Sequence, residues 1–112
     1  MNLATYNDGV VSIYREKDRK TDFNAKRNVA GIEDMDFIVK LAFDECSKRV
    51  QDLEFAEQSG FSLSMKVRTR YVPTVQAKHK AVINGYLYDI SYIDKAEQEL
   101  YIYLEEVRAL DS

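Results

Sequence analysis

The sequence predicts a mainly β fold, namely a small antiparallel β-barrel or β-sandwich of about six strands with one short α-helix and a long charged loop. Two observations predict this class. Apolar and polar residues alternate with a period of two in several stretches, which is typical of half-buried strands. The 112 residues also include 8 Tyr and 5 Phe but only 1 Pro and 4 Gly, and aromatic residues are enriched in strands. This length predicts a single domain that spans residues 1–112.

Two strands and a charged loop are expected in the first half of the chain. Gly9 to Tyr14 predicts a short strand, and the alternating apolar residues from Phe37 to Phe43 predict a second one. The reverse side of the second strand is apolar too, which indicates a strand that is covered on both sides or lies at an interface. Between them, residues 15–36 hold six basic and six acidic residues without periodicity. Loops of this length are uncommon in compact domains, so we expect this one to be functional or to order when a partner binds.

A short amphipathic helix or ordered loop is expected over residues 47–60. Val50, Leu53 and Ala56 recur at three-residue spacing among charged and amide side chains. Ser47 is a suitable N-cap, and Gly60 is a typical helix stop signal.

The remaining residues, 61–108, predict a four-stranded antiparallel meander. Residues 61–68 alternate between apolar and polar side chains. Asn84-Gly85 between two apolar runs favours a two-residue type I′ hairpin, because both residues accept a positive φ. A polar connection from Asp94 to Gln98 then leads to a final alternating strand around Tyr101.

Charge is unevenly distributed along the chain. The net charge of −3 excludes a generally basic nucleic-acid coat protein and an acidic tail protein. Residues 58–87 contain five basic and no acidic residues, whereas residues 88–112 contain seven acidic and two basic ones. The basic segment predicts an electrostatic surface for a DNA backbone or an acidic partner. The candidate basic residues of a DNA channel or interface are Lys66, Arg68, Arg70, Lys78 and Lys80. The candidate acidic interface residues are Asp94, Glu97, Glu99, Glu105 and Glu106.

No catalytic, cofactor or metal site is expected, and the chain is interpreted as a non-enzyme. The four glycines are too scattered for a nucleotide-binding loop. One cysteine, Cys46, and one histidine, His79, cannot form a structural zinc centre, and no motif around either supports a catalytic pair. The acidic clusters lack the spacing of a calcium loop. We expect Cys46 to pack near a strand end, and His79 to be a solvated loop residue between two lysines.

Compartment signals are equally sparse. No apolar run approaches the roughly 20 residues that span a bilayer, so no membrane association is expected. The first residues lack a charged start and an apolar stretch, so no secretory signal is expected. A single cysteine excludes an internal disulfide framework and fits a reducing compartment.

The tyrosines allow two interpretations. Strict alternation places Tyr86, Tyr88 and Tyr92 on one face of their strand, and Tyr101 and Tyr103 on one face of the next. Beside Lys66, Arg68 and Arg70, they could form a stacking platform for single-stranded nucleic acid. Alternatively, the tyrosines build the core of a barrel without tryptophan, with some buried at a subunit interface. Antiparallel sheets rely on aromatic cross-strand pairs, which favours the second interpretation.

The second half of the chain resembles the head-tail joining proteins of long-tailed phages, which are also called head-closure, head-completion, adaptor or stopper proteins. Their pattern is an Ile/Val-Arg-Tyr strand end, a loop, a basic residue, an apolar pair, Gly, Tyr-x-Ile and a closing apolar strand. The runs 65–71 and 80–90 carry this resemblance, followed by a closing strand over residues 100–104. The matching motif residues are Tyr71, Gly85, Tyr88 and Ile90. Residues 9–15 and 36–45 resemble the first two strands.

Three features depart from the family pattern. The strand end reads Val67-Arg68-Thr69-Arg70-Tyr71 instead of a contiguous Ile-Arg-Tyr. Met35-Asp36-Phe37 stands where a tryptophan often precedes the second strand, and the loop 15–36 is rich in charge.

The resemblance implies a structural component of a tailed phage or prophage virion. Such proteins form a ring in the virion neck below the portal and adaptor, retain packaged DNA and present a surface to the tail. The implied partners are further copies of the chain, portal or adaptor proteins, tail-completion proteins and, non-specifically, double-stranded DNA; a tail-terminator role is a related alternative. The implied location is the virion neck, and the bacterial cytoplasm during assembly, where the free protein can be monomeric. Loops 15–36 and 47–60 are then expected to mediate ring contacts or line the channel, and the oppositely charged segments to meet between neighbouring subunits.

Overall fold

A computed structural model of the chain describes residues 5–17 and 31–110. Six antiparallel strands close into a barrel in the order β1-β2-β3-β6-β5-β4. Their bounds are Gly9–Glu16 (β1), Met35–Cys46 (β2), Met65–Arg70 (β3), Lys80–Ile83 (β4), Tyr86–Ala96 (β5) and Glu99–Ala109 (β6). One helix, α1 (Val50–Ser59), connects β2 to β3. The predicted mainly β fold is confirmed, and the sheet closes as a barrel.

The core lies inside the barrel and is built by alternate residues of every strand. The fully buried apolar side chains include Val11, Ile13, Val67, Ile102 and Leu104. Removal of apolar surface from water is the main favourable contribution to folding. The apolar residues at alternating positions therefore fix which side of each strand faces the core.

The second predicted strand is confirmed, but one end of its predicted face is wrong. Leu41 and Phe43 point into the core, whereas Phe37 is 59% exposed. The register between β1 and β2 shifts at this point, because Ile13 pairs with Val39 and Tyr14 pairs with Phe37. The bulge leaves Ile38 unpaired and reverses the alternation. Phe37 therefore lies outside, in an edge-to-face contact with Tyr14 at 5.7 Å.

The predicted type I′ hairpin is confirmed between β4 and β5. Asn84 has φ +51° and Gly85 has φ +80°, and both must be positive in this turn. The next connection is shorter than predicted: β5 continues through Ala96, which pairs with Glu99, so only Glu97 and Gln98 form the turn.

The predicted four-stranded meander is wrong in its order. Strands β4, β5 and β6 are sequential neighbours, but β3 pairs with β2 and β6 instead of β4. The strand β3 also begins later than predicted, at Met65. Residues 61–64 link α1 to β3 without joining the sheet as a strand. Phe61 and Leu63 pack in a small second core under α1, and the backbone N–H of Ser64 donates to the carbonyl of Leu104 at 2.8 Å.

The helix is confirmed, but two of the three residues on its predicted apolar face are exposed. Val50 is 68% exposed and Leu53 47% exposed, while Asp52 is 4% exposed and Ala56 is buried. The N-cap is Arg49 rather than Ser47, and its backbone N–H donates to Asp52 Oδ2 at 3.0 Å. As predicted, the helix ends at Gly60, which has φ +83°.

Residues 18–30, which form much of the predicted loop 15–36, lie outside the described part of the chain. At its edges, Arg15 and Glu16 belong to β1, and Ile32–Asp34 form a short 3-10 helix before β2. Within residues 5–17 and 31–110, no helix has both the length and the apolarity needed to cross a bilayer.

Gly85→Ala is expected to destabilise the fold by about 1 kcal/mol, because an L side chain is strained in the left-handed region. No atom lies within 4 Å of the added Cβ, so the effect is conformational rather than steric. Urea denaturation measures it. Asn84→Asp is the control, since Asp also tolerates a positive φ. Equal unfolding midpoints for Gly85→Ala and the unchanged chain would contradict this turn geometry.

Candidate interaction site on the barrel surface

The first predicted channel residue, Lys66, is buried against the helix instead of facing a partner. Its Nζ lies 3.2 Å from both carboxylate oxygens of Asp52, and the two side chains are 7% and 4% exposed. The hydroxyl of Tyr103 donates to Asp52 Oδ1 at 3.0 Å. With the backbone N–H of Arg49 and its Nε–H, which lies 3.4 Å from Oδ2, four donors satisfy this buried carboxylate. Lys66 is therefore an internal ion-pair partner rather than part of an exposed basic surface.

These contacts stabilise the ionised form of Asp52. Burial raises the pKa of the carboxyl, but hydrogen bonds from the Arg49 backbone, Lys66 and Tyr103 outweigh it and lower the pKa to about 2. Burial and the hydrogen bond to Asp52 raise the pKa of Tyr103 to about 12. The cluster is charged and fixed at neutral pH.

Aromatic rings hold α1 to the same face of the barrel. Phe55 makes edge-to-face contacts with Tyr92 at 4.7 Å and Tyr103 at 6.0 Å. The Lys66 ammonium lies 5.0 Å from the Tyr103 ring centroid and 5.4 Å from that of Tyr101. The helix thus covers Tyr103, one of the rings that the nucleic-acid platform would need.

The predicted tyrosine face on β5 is wrong. Tyr88 is buried in the barrel core, whereas Tyr86 and Tyr92 are exposed. The register of β5 against β6 shifts between Leu87 and Tyr88 and again between Ile90 and Tyr92. The first shift skips Val107 on β6 and leaves β5 regular, whereas the second skips Ser91 on β5 and moves Tyr92 off the face of Tyr88. These tyrosines therefore do not form one continuous stacking surface.

Arg68 is the centre of a second charge cluster on the outer face. It lies 2.7 Å from Asp44 and 3.4 Å from Glu99, one of the predicted acidic interface residues. The ring of Tyr6 lies 5.5 Å from the guanidinium, and its hydroxyl donates to Glu99 Oε2 at 2.7 Å. The hydrogen bond to Asp44 raises the pKa of Arg68. Burial and the hydrogen bond to Glu99 raise the pKa of Tyr6 to about 12.

The two oppositely charged segments therefore meet within one chain. Arg68 pairs with Glu99 across β3 and β6, and Lys80 pairs with Asp89 across β4 and β5. Of the five predicted basic residues, Arg70 and Lys78 are exposed and form no hydrogen bond or ion pair with the described part of the chain.

The other predicted acidic residues lie at opposite ends of the β5–β6 ribbon. Asp94 and Glu97 are exposed near the β5–β6 turn, and Glu106 is exposed toward the far end of β6. Glu105 is half-buried and accepts a hydrogen bond from the backbone N–H of Ser62 at 3.3 Å.

The motif residues of the family resemblance have structural positions. Tyr71 follows β3, donates its backbone N–H to the carbonyl of Gln98 at 2.8 Å, and lies 4.6 Å under the Lys95 ammonium. Gly85 forms the hairpin turn, and Tyr88 and Ile90 are in the core.

A cleft of about 320 Å³ lies beside the N-terminus of α1. Its lining residues are Cys46, Ser47, Arg49, Lys66, Asp94, Tyr101 and Tyr103. Burial raises the pKa of the Cys46 thiol, which disfavours the reactive thiolate. Since Asp52 holds the Lys66 ammonium, this cleft presents no activated nucleophile. No group of three or more candidate metal ligands occurs among residues 5–17 and 31–110.

The prediction that His79 is a solvated loop residue is wrong. The side chain is 5% exposed, and its Nδ1 accepts a hydrogen bond from the backbone N–H of Gln76 at 3.0 Å. Burial lowers the pKa of His79, and the charges of Lys78 and Arg15 lower it further.

Stability is expected to fall as the pH drops from about 4 to 2, because the pKa of Asp52 is about 2 in the folded chain against 3.8 ordinarily. A depressed carboxyl pKa stabilises the fold above the unfolded-state pKa, and this contribution is lost as the pH falls through the folded-state value. The shift corresponds to about 2 kcal/mol. Urea denaturation at pH 7, 4 and 2 measures it. Tyr103→Phe, which removes one hydrogen bond to Asp52, should show a smaller pH-dependent loss. If the free energy of unfolding of Asp52→Asn falls between pH 4 and 2 as steeply as that of the unchanged chain, the assignment is wrong.

Comparison with known proteins leaves the fold and the surface geometry as the basis for a functional proposal. No family model and no curated protein match this chain.

Proposed function

We propose that the protein is a non-enzymatic structural component of a tailed phage or prophage, a head-tail joining protein of the head-closure type. In this proposal, copies of the chain form a ring below the portal and adaptor in the virion neck. The ring helps to retain packaged double-stranded DNA and offers an attachment surface to the tail.

The observation that carries the proposal is the order of the structural elements. A short first strand and a long second strand precede a helix and a four-stranded unit, as the family resemblance implies. The motif residues have positions that fit the family's sequence pattern: Tyr71 follows the end of β3, Gly85 lies in the hairpin, and Tyr88 and Ile90 lie in the core.

The exposed side of α1 supports a contact role for residues 47–60. Val50 and Leu53 are three positions apart (i and i+3), so they lie on one helical face, and both point away from the barrel. Apolar side chains at the centre of an interface exclude water and contribute most of its affinity. A neighbouring subunit or the adaptor would cover this face in the assembled neck.

The charges left without internal partners support complementary contacts between subunits. Of the predicted basic residues, Arg70 and Lys78 are exposed, and Asp94, Glu97 and Glu106 are exposed carboxylates; none of these five has an ion pair in the described part of the chain. A ring needs two different faces that fit each other. These residues would guide assembly, while the internally paired Lys66, Arg68 and Lys80 would not.

Docking to the portal tests the proposal. Electron microscopy of the protein mixed with the portal–adaptor complex encoded beside it should show a ring of added density at the portal exit. The oligomeric state of the free chain does not affect this test, because the free protein can be monomeric. If no density docks at the portal exit, the proposal is wrong; density at the tail end instead would assign a tail-terminator role.

Leu53→Asp should reduce ring density at the portal about tenfold or more, because a charge then faces an apolar contact. Gln58→Asp introduces the same charge at another exposed position of α1 and should leave docking unchanged. Circular dichroism checks that both variants stay folded. Equal docking of Leu53→Asp and Gln58→Asp would remove α1 from the contact surface.

A further inference from the structure

A second cleft, of about 290 Å³, opens between the barrel and the loop that leads into β4. Its lining residues are Arg15, Ile38, Thr74, Gln76, Lys78 and His79. Arg15 comes from β1 and Ile38 from β2, while the other four precede β4. The cleft thus brings together residues that are far apart in the sequence.

Among residues 5–17 and 31–110, two cationic side chains and no carboxylate line this cleft. Lys78 forms no hydrogen bond or ion pair with the described part of the chain. Arg15 lies 3.4 Å from Asp36, but both side chains are largely exposed, so this pair is weak and leaves most of the guanidinium donors free. The cleft therefore carries uncompensated positive charge.

The neutral polar groups of the cleft add further donors. Because His79 Nδ1 accepts the Gln76 backbone N–H, the neutral ring carries its proton on Nε2 and can donate it. Thr74 and Gln76, whose side chains carry a hydroxyl and an amide donor, also line the cleft. Burial lowers the pKa of His79 most, and the positive charges of Lys78 and Arg15 beside it lower it further.

We infer that this cleft binds a phosphate group. A guanidinium and an ammonium neutralise an oxyanion, and the guanidinium fork fits two phosphate oxygens. The additional neutral donors favour phosphate over a carboxylate, which has only two oxygens to accept them. Assignment of the source as the backbone of packaged double-stranded DNA rests on the proposed function, while the phosphate site itself does not.

Titration of the full-length, ¹⁵N-labelled chain by NMR tests the inference. Inorganic phosphate at constant ionic strength should cause saturable shifts at the amides of Gln76, Lys78 and His79, and acetate should bind more weakly. Lys78→Gln and Arg15→Gln should each weaken phosphate binding about tenfold, because each removes a charge-assisted hydrogen bond. Arg70→Gln is the matched control, since it removes an equally exposed cation outside the cleft and should change nothing.

A second titration with a mixed-sequence DNA duplex of about 20 base pairs, at two salt concentrations, distinguishes the sources of phosphate. DNA is supported as the source if the duplex shifts the same amides, and if Lys78→Gln weakens this binding while Arg70→Gln does not. Phosphate binding without duplex binding would support the site and overturn DNA as its source. Absent phosphate shifts, equal binding of acetate, or equal effects of Lys78→Gln and Arg70→Gln would overturn the inference. Failure of the chain to dock at a portal would leave these results unaffected.

Discussion

The buried contact between Asp52 and Lys66 determines how the surface of this barrel is arranged. A buried carboxylate and ammonium are tolerated only when they are paired and hydrogen-bonded, and here Tyr103 and Arg49 complete the set. The requirement orients α1: Asp52 and Ala56 must face the barrel, so Val50 and Leu53 must face away from it. One ion pair thereby covers a tyrosine, removes a lysine from the surface and exposes an apolar helical face.

The same principle governs the rest of the charge. Neighbouring strands carry opposite charges, and Arg68 and Lys80 find carboxylates on β6 and β5 within their own chain. A segment that is strongly basic in sequence is therefore largely neutralised in three dimensions. Of the predicted basic residues, Arg70 and Lys78 stay available to a partner, Lys78 in the cleft that it shares with Arg15. The exposed side of α1 is a separate surface. This division agrees with a subunit that contacts several neighbours through small separate surfaces rather than through one basic face.

Local patterns were sufficient to predict most of the fold, because the hydrophobic period and turn chemistry act over a few residues. The barrel strands, the Asn84-Gly85 turn and the end of α1 at Gly60 follow from such patterns. The errors arise where a distant partner decides. A bulge reverses Phe37, a bulge at Ser91 separates Tyr92 from Tyr88, and Lys66 draws Asp52 inward against the apolar spacing of the helix. The site was harder to predict, since Tyr6, Asp52 and His79 carry no local signal. The one available hint was Lys66, a lysine within a predicted strand, which follows a predicted helix with an acidic residue, Asp52, near its start.

Native-state hydrogen exchange at neutral pH tests the central claim that the Asp52–Lys66 pair holds α1 on the barrel. In the unchanged chain, the amides of residues 50–59 should exchange with protection similar to those of β3 and β6, because helix and barrel open together. In Asp52→Asn, the helix amides should exchange at least about tenfold faster, and their protection should fall by a larger factor than that of the barrel amides. Unchanged protection of α1 in Asp52→Asn, or a helix that already exchanges freely in the unchanged chain, would contradict this account.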